Sequence, residues 1–119
     1  MKFDRHTIML LVRPPNAPVL DDDEADRLQD AHLAHQASLR DQGYVVAAGP
    51  LVDQTNPRLR GIVVFATDPE TALRLYGDNP SVKAGRLAIE VMTWMVPVGN
   101  VRFASVSGPR SMAEAEEDL

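Results

Sequence analysis

Apolar residues along this chain gather in short blocks, and their spacing alternates between a strand-like and a helix-like period. Ile8-Met9-Leu10-Leu11-Val12 is a continuous β-leaning run closed by Arg13-Pro14-Pro15-Asn16-Ala17-Pro18. It predicts a strand buried on both faces or nearly so, and the three prolines forbid its continuation as strand or helix. Asp21-Asp22-Asp23-Glu24 comes next. Asp21 and Glu24 have capping-box spacing, and carboxylates suit the positive end of a helix dipole. The predicted helix runs to Gln42, where Gly43 stops it. On a wheel with Leu28 as origin, Ala25, Ala31, His32, His35 and Leu39 fall within roughly 60°, whereas Leu33 and Ala37 fall outside. Two histidines therefore share the inward stripe, one turn apart.

Val45-Val46-Ala47-Ala48 predicts a second strand ending at Gly49-Pro50. A polar loop from Asp53 to Arg60 leads to a third, Gly61 to Ala66, and the two form a hairpin with a long loop. Asp68-Pro69-Glu70 opens a second helix with a cap, a first-turn proline and an acid; Ala72, Leu73, Leu75 and Tyr76 are its apolar face and Gly77 ends it. Asp78-Asn79-Pro80-Ser81 reads as a turn or a new short helical start. Arg86 to Val96 is the last core strand, closed by Pro97. The order strand, helix, strand, strand, helix, strand is the split βαβ arrangement, a ferredoxin-like βαββαβ sandwich of the α+β class occupying residues 1–100. Its helices lie on one face of the sheet. The other face is apolar and calls for a cover, most simply a second copy, so a homodimer is expected. Residues 101–119 form a C-terminal extension: Val101–Val106 is a candidate edge strand, and Ser111–Leu119, with four acids, is expected to be mobile or partner-bound.

Composition narrows the function. At 119 residues there is room for one domain, and a 45% apolar share can build one core. No cysteine is present, which excludes disulfides, thiolate catalysis and cysteine-based metal sites and agrees with a cytoplasmic location. A net charge of −5 without a Lys/Arg cluster argues against nucleic acid as partner. The apolar runs are too short to span a bilayer, and no signal-peptide pattern opens the chain, so no membrane partner is expected. The seven glycines are scattered, so no phosphate loop or nucleotide fingerprint exists and no organic cofactor is expected. The adjacent acids at positions 21–24 point in different directions around a helix start. His32 and His35 have no third histidine nearby, and nothing local recruits His6 from strand 1, so no metal site is expected. A small-molecule ligand remains.

The polar residues of interest are few. His32 and His35 lie on an inward face, and His35 reads either as a packed or helix-rim histidine or as a substrate-binding residue. Gly49 and Pro50 read either as a strand-end turn or as a corner where a ligand approaches the backbone beside a histidine. Arg13 and Arg60 read either as solvated surface charges or as ligands for a substrate carboxylate.

Ala31-His32-Leu33-Ala34-His35 through Gly43, then Ala48-Gly49-Pro50-Leu51, then Asn79-Pro80-Ser81-Val82-Lys83-Ala84-Gly85 leading into Arg86–Trp94, resemble the YciI-like (YCII-related) family over roughly residues 6–97. That family shows an Ala-His-Leu stretch in helix 1, an Ala-Gly-Pro at the end of strand 2, and an Asp-Pro turn after helix 2. A Lys-Ala-Gly-like stretch then enters its final strand. The resemblance implies a dimeric α/β barrel similar to muconolactone isomerases and small quinol monooxygenases. It also implies a pocket faced by a histidine and an aspartate. His32 matches the histidine, while the aspartate position is occupied by Asn79, with Asp78 one residue earlier as a substitute. An asparagine orients an imidazole through a hydrogen bond but supplies no charge. The expectation is a small-molecule enzyme of lyase, isomerase or hydrolytic type with His32 as general acid or base and Asn79 or Asp78 orienting it. The alternative is a non-catalytic ligand-binding or interaction domain that has lost the carboxylate. A cofactor-independent monooxygenase follows only from fold analogy.

Overall fold

The computed structural model describes residues 1–116. Strand β1 (Phe3–Val12) leads to helix α1 (Asp22–Asp41), then to the hairpin strands β2 (Val45–Pro50) and β3 (Leu59–Phe65). Helices α2 (Pro69–Tyr76) and α3 (Pro80–Lys83), strand β4 (Ala88–Pro97) and a short helix α4 (Met112–Glu116) complete the chain. The four strands make one antiparallel sheet in the order β2-β3-β1-β4, the arrangement expected of a ferredoxin-like α+β fold.

The local signals act as anticipated. Asp21 Oδ1 accepts from the Glu24 amide at 2.8 Å and Asp68 Oδ1 from the Thr71 amide at 2.7 Å, so each long helix begins on a side-chain cap. α1 ends in a Schellman turn. The Gly43 amide donates to Arg40 O at 2.9 Å and the Tyr44 amide to Leu39 O at 3.0 Å, with Gly43 at φ 86°, where a side chain would be strained.

β1 begins five residues before the apolar run. Its ladder with β4 is continuous from Phe3↔Pro97 to Val12↔Ala88, so backbone pairing carries Asp4 and Arg5 into the strand. β2 likewise continues through Gly49 and Pro50 rather than turning there. β2 is an edge strand, where a residue without an amide hydrogen is tolerated.

Alternation sorts the strands into two faces. Met9, Leu11, Val63, Phe65 and Val45 point toward the helices and pack with Leu39, Ala72, Tyr76 and Leu87 in the core. His6, Ile8, Leu10, Ile62, Met92 and Trp94 point to the helix-free face, where Trp94 keeps 43% of its surface exposed.

Two sequence expectations are corrected by the course of the C-terminal segment. Val101–Val106 adds no edge strand. After a turn at Gly99 the chain leaves β4 and passes over the helix-free face, where the Phe103 ring meets His6 edge-on at 5.3 Å. It then reaches the side of α1, where Arg40 Nη1 donates to Val106 O at 2.6 Å. From there it follows the helix flank. Arg110 donates to both Asp41 oxygens at 2.8 and 3.1 Å, and the Met112 amide donates to Asp30 Oδ1 at 2.8 Å.

That course also explains the second correction: Ala37, on the side of the wheel away from Leu28, is buried, while Ala31 is exposed. Ala37 shares its flank with Asp30 and Asp41, so the inward stripe is widened by a segment that no period of α1 itself encodes. Of the tail Ser111–Leu119, Met112–Glu116 is helical, and Glu117–Leu119 lie outside the described residues.

Met9 has no exposed surface, whereas Val19 is 97% exposed. Met9→Ala is expected to cost about 2–5 kcal/mol by chemical denaturation, and Val19→Ala to stay within about 0.5 kcal/mol of the parent. Equal effects would contradict the placement of the core.

Candidate functional site

The site is organised by Asn79. Its side chain caps α3, Oδ1 accepting from the Ser81 amide at 3.0 Å, with Pro80 at the first helical position. This cap lies against the middle of α1 and is fully buried.

Since Oδ1 accepts a backbone N–H, the orientation of the amide is fixed, and the same oxygen, 2.9 Å from His32 Nδ1, accepts from that nitrogen too. The Asn79 Nδ2 group points the other way. It donates to His32 O at 3.3 Å and lies 3.2 Å from His35 Nδ1, which therefore acts as acceptor. His32 thus carries its neutral proton on Nδ1 and His35 on Nε2. The remaining nitrogen of His32, Nε2, holds the lone pair. It makes no hydrogen bond to a described residue, and the ring that carries it lines a cleft.

Burial dominates the titration of both rings. His32, 6% exposed, has its pKa lowered from the ordinary value by desolvation; the bond to Asn79 partly offsets this, and the neighbouring His35 adds to it. His35 is also lowered, first by burial, with the Asp78 carboxylate opposing and Lys83 reinforcing. Both rings pack edge-on to Tyr76, whose hydroxyl pKa is pushed up by burial and which donates to Gln36 Oε1 at 2.6 Å.

His32 lines a cleft of about 490 Å³ between α1 and the end of the sheet. Of the residues singled out from the sequence, Arg13, Gly49, Pro50 and Arg60 line the same cleft. Asp78 is not brought to His32: its carboxylate is exposed and faces Lys83 Nζ at 3.8 Å. His35 bonds Asn79 from behind and is absent from the cleft wall. At Gly61 an added Cβ would stand 3.1 Å from Gly49 O and 3.4 Å from Leu11 Cδ1, so the two strands approach closely beneath the cleft.

Sequence reasoning missed three contributors. Arg86 was read only as the start of β4, yet it lies before the strand and on the cleft wall. Gln36 stands one turn after His32 on the same face, a spacing that could have found it. The third, α4, brings Met112 and Glu116 to the wall from a tail whose composition gave no such signal.

The fold and cleft define an α+β protein of the ferredoxin-like class, with a histidine held at the cleft wall by a buried amide. The YCII-related domain family matches residues 7–95, and the chain belongs to that family. Among curated proteins no sequence matches it. No helix among the described residues is long and apolar enough to cross a membrane.

Because both histidine pKa values are lowered on folding, the unfolded chain binds more protons just below the ordinary value of 6.5. Their contribution to stability is complete above that value and is lost as pH falls through the folded-state values. The urea midpoint is therefore expected to be level above pH 6.5 and to decline on acidification before the carboxylates, with ordinary values near 3.8, begin to protonate. A His32→Gln, His35→Gln double variant should flatten that first decline; an unchanged slope would contradict the lowered values.

Proposed function

We propose that this YCII-related protein is a small-molecule enzyme of lyase, isomerase or hydrolytic type in which His32 Nε2 takes up and returns a proton. The observation that carries this reading is the fixed Asn79 Oδ1, which accepts from both the Ser81 amide and His32 Nδ1 and so leaves Nε2 as the unprotonated atom. A general base needs a lone pair at an accessible atom with its other nitrogen held, and this arrangement supplies both. The lowered pKa keeps the ring neutral at neutral pH and makes it a base of modest strength. That suits a proton already made acidic by an adjacent carbonyl or carboxylate. Asn79 is the positioning residue. Gly49 and Pro50 form a wall of the cleft, and Arg13 and Arg60 offer guanidinium groups to a substrate carboxylate.

A second reading is supported by the amide itself. Asn79 stands where the family's resemblance calls for a carboxylate and supplies no charge to an imidazolium, which fits a binding domain that holds a ligand without turning it over.

The working unit is proposed to be a homodimer in the cytoplasm. The partly exposed Met92 and Trp94 on the helix-free face support a second copy as the cover, with an interface above ~2,000 Å² in total; the absence of cysteine supports the location.

The test is a turnover screen of the purified protein against small carboxylic and carbonyl metabolites. His32→Gln is expected to lower any activity found by about 10²–10⁴-fold while the circular dichroism spectrum is retained. Asn79→Asp should raise the His32 pKa in an NMR titration, since a carboxylate would then face Nδ1. Ligand binding without turnover in the parent would favour the second reading. Light scattering should give twice the chain mass, and Trp94→Asp should reduce it to one; a monomeric parent would remove the dimer.

A further inference from the structure

Three arginines reach the cleft from three places in the chain. Arg13 follows β1, Arg60 lies in β3, and Arg86 precedes β4. Each is held by a carbonyl rather than a carboxylate. Arg13 Nε donates to Arg86 O at 2.9 Å, Arg86 Nη1 to Pro18 O at 2.8 Å, and Arg60 Nη1 to Pro57 O at 3.1 Å.

A carbonyl fixes where a guanidinium sits without cancelling its charge. Each of these groups has five N–H donors, and most are left unspent. Among the described residues none of the three forms an ion pair; the two that exist are Lys83–Asp78 and Arg110–Asp41. Asp26 and Glu116 also line the cleft, but neither comes within ion-pair distance of the three. The arginines feel one another instead: burial lowers the Arg13 pKa, and the charges of Arg86 and Arg60 lower it further.

Bringing like charges together beside a cavity is unfavourable unless something anionic enters it. A single carboxylate satisfies one or two guanidinium forks. Arg13 Nε is tied to the main-chain oxygen of Arg86 and feels the Arg86 charge more strongly than that of Arg60, so the first two make one such seat, while Arg60 enters from β3, anchored to Pro57 O. We infer that the cleft takes a small dicarboxylate, one carboxylate seated between Arg13 and Arg86 and the other on Arg60, with the carbon skeleton lying along the wall that carries His32. A phosphomonoester also brings two charges, but on one head, which leaves one of the two seats empty.

The inference rests on the cleft being a small-molecule site, and its test is a binding measurement that needs no catalysis. Calorimetric titration at low ionic strength compares succinate and glutarate with butyrate and with inorganic phosphate. At least one dicarboxylate is expected to bind about tenfold or more tightly than butyrate, and more tightly than phosphate. Arg60→Gln should bring the dicarboxylate down to the butyrate level and leave butyrate itself unchanged, and Arg86→Gln should weaken both. Arg60 is exposed, and its variant is the one expected to fold without disturbance. Butyrate binding as well as the dicarboxylates, phosphate binding best, or an Arg60→Gln protein indistinguishable from the parent would each overturn the inference. His32→Gln separates it from the proposed activity. Dicarboxylate affinity retained in that variant, with no turnover in the parent, supports the binding inference and removes the enzyme. Turnover of an uncharged substrate that depends on His32 does the reverse.

Discussion

One buried amide holds this site together. Asn79 spends its oxygen on the start of α3 and on His32, and its nitrogen on the backbone of α1 and on His35, so two helices distant in sequence are joined through a single side chain. An amide in this position can give and accept at once. A carboxylate there would keep the two bonds to its oxygen and lose both donations from Nδ2, leaving His32 O and His35 Nδ1 without their partner. The residue that weakens the likeness to a charged histidine pair is therefore the one that best satisfies the polar groups around it. The tautomers of both rings follow from it, and so does the identity of the unprotonated nitrogen of His32.

Much of the architecture was legible because the local signals agree with the global one. The caps at Asp21 and Asp68, the stop at Gly43 and the alternation in the strands each concern residues close in sequence, and each is realised. What escaped was long-range. β1 owes its first five residues to pairing with β4, a partner some ninety positions away. Ala37 is buried on the flank of α1 along which a C-terminal segment distant in sequence runs. Periodicity describes the exposure of a helix with one covered side, and α1 has two.

The same distinction applies to the site. His32 was visible because a histidine on an apolar stripe is conspicuous, and Asn79 because a motif drew attention to it. That Asn79, rather than Asp78, addresses His32 depends on capping geometry: position 79 turns inward as the cap of α3, and position 78 stays in solvent with Lys83. Arg86 had no pattern to reveal it. Its place on the cleft wall comes from the Pro18 carbonyl that holds its guanidinium and from the strands that bring Arg13 and Arg60 beside it, neighbours assembled only by the sheet order.

The position of α4 has a consequence for how such proteins diverge. The family match ends at residue 95, and both members of the His32–Asn79 pair lie within it, whereas Met112 and Glu116 on the cleft wall lie beyond it. The His32–Asn79 pair and part of the cleft wall are therefore encoded in separable stretches of chain. Relatives that keep the first and exchange the second can alter what fits beside the histidine without disturbing how the histidine is held. A change in the length or sequence of this appendage would then reshape the cleft while leaving the shared domain as it is.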